Sequence, residues 1–153
     1  MKRSKTGFTL IELMTVLAIL AILGALVYPS YAGQMVRTRR VEAQLALMEA
    51  MQLQEQHRAL HHTYLAFSSE SSESSEPGTE AFRWWSGDHP ATSAYELEAL
   101  ACEGRDIAEC VELRATPGTD NVDTRFADPD CGTLGLDSTG RQTASGPASG
   151  CWP

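Results

Sequence analysis

The chain has 153 residues, 42% of them hydrophobic, and a formal net charge of −8. That length holds one domain and a membrane segment, and the acidic balance argues against a general nucleic-acid binder, which needs a basic face. Three of the twelve cations, Lys2, Arg3 and Lys5, fall in the first seven residues, so a chain without them carries −11.

Residues 1–7 form a short basic leader. From Phe8 to Tyr31 the sequence is apolar with one charge, Glu12. Residues 8–31 would make a helix of about 36 Å at ~1.5 Å per residue, enough to span a bilayer with some tilt. A carboxylate inside such a segment is costly, so a functional role is its default reading. Gly7 places a small residue at the foot of the apolar run, where a peptidase can cut. A secretory signal is cut after its apolar region, behind an A-x-A-like pattern. Here the small residue comes first, and cleavage leaves the apolar segment on the mature protein. Gly24 and Pro29 interrupt the run, and a proline removes one backbone donor and kinks a helix.

The segment Gly7-Phe8-Thr9-Leu10-Ile11-Glu12-Leu13 resembles the processing motif of type IV pilins and related pseudopilins. The resemblance implies that a prepilin peptidase cuts between Gly7 and Phe8 and methylates the new amine of Phe8. It implies that Glu12, the fifth mature residue, pairs with that amine on a neighbouring subunit during assembly. It also implies a gently bent helix at Gly24 and Pro29, held in the inner membrane with the leader inside. Lysine and arginine counts alone do not orient the segment, because Lys2, Arg3 and Lys5 face Arg37, Arg39 and Arg40 across it.

The helix is expected to run on to about Tyr64, making 32–64 its amphipathic half. Met35 to Leu60 contains no Gly or Pro. Ala46, Ala50, Leu53, His57 and Leu60 recur at helical spacing, with Val41, Leu45 and Met48 beside them. Read as one apolar arc, they need a sheet laid across them. Residues 65–94 read as a loop containing the Ser/Glu tract 68–76, which has no means of building a core. Phe82, Trp84 and Trp85 are expected to fold its far end back onto the body.

Residues 95–153 hold the sheet and a C-terminal disulfide region. Tyr95, Leu97, Ala99 and Ala101 alternate with Glu96, Glu98 and Leu100. Val111, Leu113 and Ala115 alternate with Glu112, Arg114 and Thr116. Thr133 to Leu136 gives a third strand, Asp137-Ser138-Thr139-Gly140 a turn, and Arg141 to Thr143 a return strand. The fold class is therefore α+β: a long bent N-terminal transmembrane and assembly helix packed on a three- to four-stranded antiparallel sheet.

Four cysteines follow the membrane segment, and an even count in a small extracytoplasmic domain reads as two disulfides with three connectivities. The spacing of Cys102 and Cys110 suits a bridge across residues 103–109, which leaves Cys131 and Cys151 to close a C-terminal loop. The segment Asp130 to Leu134, the Asp137 to Gly140 turn and the terminal Gly150-Cys151-Trp152-Pro153 resemble the C-terminus of PilE-like minor pilins. A disulfide-closed end is common in type IVa pilins and usually absent from type II secretion pseudopilins. The cysteines lack the close C-x-x-C pairs of a zinc site.

His57 and His61, at i and i+4, and His62 read as surface imidazoles without a further metal ligand. Asp120, Asn121, Asp123, Asp128 and Asp130 do not follow the calcium-loop pattern and read as a solvated turn. There is no G-x-S-x-G and no phosphate loop. The expected protein is no enzyme and carries no cofactor or metal. It is a structural, minor pilin of a type IV pilus, with a periplasmic C-terminal domain before it joins the extracellular filament. Its partners are other pilin subunits of a helical filament, the prepilin peptidase and the inner-membrane assembly platform. Nucleic acid is not expected. The alternatives are a type II secretion pseudopilin and a tip adhesin or DNA-uptake pilin.

Overall fold

The structure, a computed structural model, describes residues 8–71 and 81–153, the side chains of residues 26–30 excepted. The leader with Gly7, and most of the Ser/Glu tract, lie outside the described residues. The chain divides into two compact units, residues 1–37 and 38–153. Helix α1, Leu10–His61, starts in the first and ends in the second.

In the first unit Thr9 opens α1. Its hydroxyl accepts the Glu12 N–H at 3.3 Å, and Thr9-x-x-Glu12 has the spacing of a capping box. Glu12 in the first turn also faces the positive end of the helix dipole.

In the second unit α1 ends at His61, a little before the expected Tyr64. His62 takes φ 62°, and its N–H closes on the Arg58 carbonyl at 2.8 Å. A left-handed residue just past the last turn is a common helix stop. The chain then doubles back, and Gln54 clamps it. The Gln54 amide, fully buried, donates to the Leu65 carbonyl at 2.6 Å and accepts the Leu65 N–H at 2.9 Å.

Four strands follow: β1 Tyr95–Ala101, β2 Val111–Pro117, β3 Leu134–Asp137 and β4 Gln142–Ala144. They form one antiparallel sheet in the order β1-β2-β3-β4. The period-two reading holds: Tyr95, Leu97, Ala99, Val111, Leu113 and Ala115 are buried, and the residues between them are half-buried. In the turn after β3, Asp137 accepts the backbone N–H groups of Thr139 and Arg141. Gly140, at φ 85°, supplies the conformation that an L side chain resists.

The buried face of the sheet and the Ala43, Ala46, Leu47 and Ala50 stripe of α1 share one core with Tyr64, Phe67 and Phe82. Phe67 and Phe82 stack with ring centroids 5.0 Å apart. Isolated bridges Phe67↔Ala99 and Trp85↔Glu96 cover the outer edge of β1. The expected return of the loop onto the body is thus realised, and an otherwise open sheet edge is blocked.

One expectation for α1 is corrected. Val41 and Leu45 are 50% and 61% exposed, and Met48 and Leu60 are exposed too. At ~100° per residue, positions 41, 45 and 48 lie on the side of the helix opposite 43, 47, 50 and 54. The sequence therefore carries two apolar faces, not one arc. The sheet covers the alanine-rich face and leaves the other open.

Both disulfides are present. Cys102–Cys110 joins the ends of β1 and β2 with Cα atoms 5.4 Å apart, and Cys131–Cys151 closes the C-terminal region with Cα atoms 5.6 Å apart.

Candidate assembly face and polar cleft

Two features of α1 bear on function. In the first unit the large apolar residues Phe8, Leu10, Ile11, Leu13, Met14, Val16, Leu17, Ile19, Leu20, Ile22 and Leu23 are all exposed. Glu12 sits among them, and among the described residues its carboxylate has no hydrogen-bond or ion-pair partner. In the second unit the open face of α1 carries Val41, Leu45 and Met48, beside a groove of about 400 Å³ lined by Met48, Met51, Gln52, Glu55, Gln56 and Leu136. Exposed apolar surface of this extent marks a protein or membrane contact.

Of the other expected site residues, Phe8 is exposed just before α1, and Gly24 and Pro29 lie within its span. The Pro29 side chain is outside the described set. Among the described residues no helix is long and apolar enough to cross a membrane. The expected span 8–31 includes the undescribed side chains 26–30.

Of the expected solvated turn, Asp120, Asn121 and Asp130 are exposed and Asp123 half-buried; Asp128 alone departs from it. Asp128 is buried and accepts a bidentate pair of bonds from Arg40, from Nε and Nη2, each at 2.7 Å. The Tyr95 hydroxyl donates to it at 2.6 Å and the Cys131 N–H at 3.1 Å. Burial alone would raise the Asp128 pKa, but the bonds from Arg40, Tyr95 and Cys131 outweigh it and hold it below the usual carboxylate value. Burial, then the bond to Asp128 and its negative charge, push Tyr95 up. The bond to Asp128 likewise raises Arg40. Nearby, the buried Gln44 donates to the Cys151 carbonyl at 2.6 Å. Arg40 and Gln44 thus pin the C-terminal disulfide region to α1. No local pattern marks this network, because Arg40 and Asp128 are 88 residues apart.

A polar cleft of about 390 Å³ opens between the β1–β2 and β3–β4 connections. It is lined by the Cys102–Cys110 bridge, Glu103, Arg105, Asp137, Thr139 and Arg141. Outside the leader all nine cations are arginines. Six of them, Arg39, Arg40, Arg83, Arg114, Arg125 and Arg141, are ion-paired to carboxylates. Among the described residues no group of three or more His, Cys, Asp and Glu is placed to hold a metal ion.

A helix that begins at a methylation-type motif and packs its second half on an antiparallel sheet defines a pilin. Residues 2–28 match the prokaryotic N-terminal methylation motif. Residues 29–135 match the family described as type IV minor pilin ComP, DNA uptake sequence receptor, and the chain belongs to that family. No curated protein matches it. The motif implies anchoring in the inner membrane by the N-terminal helix, and the family implies association with other pilins and processing by prepilin peptidase. Pilins are in general structural, non-enzymatic proteins. Because the family description includes a DNA receptor, acidic net charge does not by itself remove DNA from the partners to be tested.

Proposed function

We propose that the chain is a non-catalytic minor subunit that enters a type IV filament through α1. The observation that carries this is the apolar surface of residues 8–23, exposed throughout among the described residues. In the inner membrane, lipid covers it through the span 8–31, and the domain lies in the periplasm. In the extracellular filament, neighbouring helices cover it. Lipid and protein are about equally apolar, so close packing and specific polar contacts must decide for the filament. Glu12 supplies such a contact by pairing with the methylated Phe8 amine of a neighbour. Gly24 and Pro29 let the helix bend as it packs. In the second unit the open Val41, Leu45 and Met48 face offers an apolar surface of its own to a neighbour.

Glu12→Val tests this. It removes the only charge of the segment and should leave membrane insertion intact. The variant should be cut, folded and membrane-bound, yet scarce in sheared filaments. An unchanged ratio of filament to membrane subunit, wild type against variant, rules out the docking role of Glu12. Processing has its own check. Mass spectrometry should show loss of residues 1–7 and one added methyl group, and Gly7→Val should accumulate uncut chain. Intact Met1 in cells with active peptidase would overturn the assignment of Gly7 and Phe8.

A second reading, DNA binding, draws on the family description and on Arg105 and Arg141 in the polar cleft. Glu103 and Asp137 share that cleft and oppose it. Fluorescence anisotropy with duplex DNA decides. A receptor should lose affinity steeply between about 50 and 200 mM salt and again on Arg105→Ala.

A further inference from the structure

We propose that His57 and His61 form a two-histidine site for a late first-row divalent cation, Zn²⁺ or Cu²⁺, at the C-terminal end of α1. The inference is independent of the pilin reading. The two residues are one helical turn apart, and their rings stack with centroids 4.4 Å apart and planes inclined by 29°. His57 is half-buried and His61 exposed, so solvent reaches the pair.

Stacked rings alone are common. The second observation concerns the tautomer. Nδ1 of His57 lies 2.9 Å from the Thr63 carbonyl oxygen. A carbonyl only accepts, so Nδ1 carries a proton, and in the neutral ring Nε2 keeps a free lone pair. Metal-ligating histidines are held in this way, with the second ring nitrogen donating to a carbonyl or carboxylate. The left-handed turn at His62 is what brings Thr63 back over α1. His57 is thus pre-set as an Nε2 ligand before any metal arrives.

The surrounding charge suits a cation. The site lies at the negative end of the helix dipole. Arg58, the neighbouring cation, keeps its charge, but its guanidinium donates to the Tyr64 hydroxyl at 2.7 Å and lies over the Tyr64 ring, and that hydroxyl donates to the Glu55 carboxylate at 2.7 Å. Imidazole ligands select zinc, copper and nickel over calcium or magnesium. With two protein ligands the cation keeps open positions, filled by water or by a group from another subunit.

The test uses the full chain in detergent micelles without a histidine tag. Cu²⁺ is titrated and followed by electron paramagnetic resonance, and Zn²⁺ by calorimetry. One equivalent of Cu²⁺ should show coupling to two imidazole nitrogens. Among the described residues the His61 side chain makes no hydrogen bond, so His61→Gln removes none. It should show one nitrogen and bind at least about tenfold more weakly, a scale that even outer-shell changes reach at metal–histidine sites. Zn²⁺ should raise the Tm of the wild type and not of His61→Gln. His89→Gln, the control outside the cluster, should bind as wild type. A two-nitrogen signal surviving in His61→Gln, or equal affinities, would overturn the proposal.

Discussion

Replacing Asp128 by alanine is expected to destabilise the second unit by roughly 3–5 kcal/mol, the usual cost of breaking a buried ion pair from one side. The change strands the Arg40 guanidinium, of which only 13% of the side chain is exposed, together with the Tyr95 hydroxyl and the Cys131 N–H. The pair's net worth is smaller than the cost of halving it, because both charges were desolvated. The double variant Arg40→Met/Asp128→Leu should therefore recover the share due to the stranded guanidinium, while the Tyr95 hydroxyl and the Cys131 N–H stay unpaired in both variants. Thermal unfolding of the full chain in micelles measures both. A single variant within about 1 kcal/mol of wild type would show that Arg40 escapes to solvent and that the network is not structural.

The same network sets a pH profile. Asp128 has a lowered native pKa, so its contribution is present above the ordinary carboxylate range and is lost as pH falls through the lowered value. Tyr95 has a raised native pKa, so its contribution is present below the ordinary tyrosine value of about 10 and is lost as pH rises through the raised one. The contribution of this network should be flat between these limits. Asp128→Asn should shrink the acid-side slope without abolishing it, because Glu96 and Asp137 are also held low. Burial would raise both, but hydroxyl and amide donors at Glu96, and Thr139 and Arg141 at Asp137, outweigh it.

Removing the Cys131–Cys151 bridge with paired serines should cost about 2–5 kcal/mol. The bridge closes a separation of 20 residues, against 8 for Cys102–Cys110. The chain-entropy model makes the shorter loop worth about 1 kcal/mol less. The β1–β2 ladder also holds the ends of that loop together without help. β4 spans three residues; beyond it the N–H groups of Ser145, Gly146 and Ala148 donate to the Thr133, Cys131 and Asp130 carbonyls and the Trp152 indole N–H to the Thr143 carbonyl, but no strand reaches Cys151 itself. Denaturant midpoints of the two serine pairs should rank in that order, and the reverse order would refute this account. Because Cys131 donates to Asp128, the serine pair and Asp128→Ala should not add.

The sequence by itself determined the elements whose signals are local. Alternation along β1 and β2 marks one buried face, because successive strand side chains point to opposite sides. The Asp137 to Gly140 turn follows from its residue types, and the leader, Glu12 and the apolar run follow from their order along the chain. Tertiary structure decided which face of α1 the sheet covers. A helix apolar on two faces has no preferred side in its own periodicity, so the packing of Ala43, Leu47 and Ala50 against the strands made the choice. It also decided the role of three polar residues. Asp128 reads as solvated in sequence and nothing local marks Gln44 or Gln54, yet all three are buried, each satisfied by a partner from elsewhere in the chain. Partners at such separations leave no trace in a local pattern, since burial of a polar group depends on what the fold brings against it.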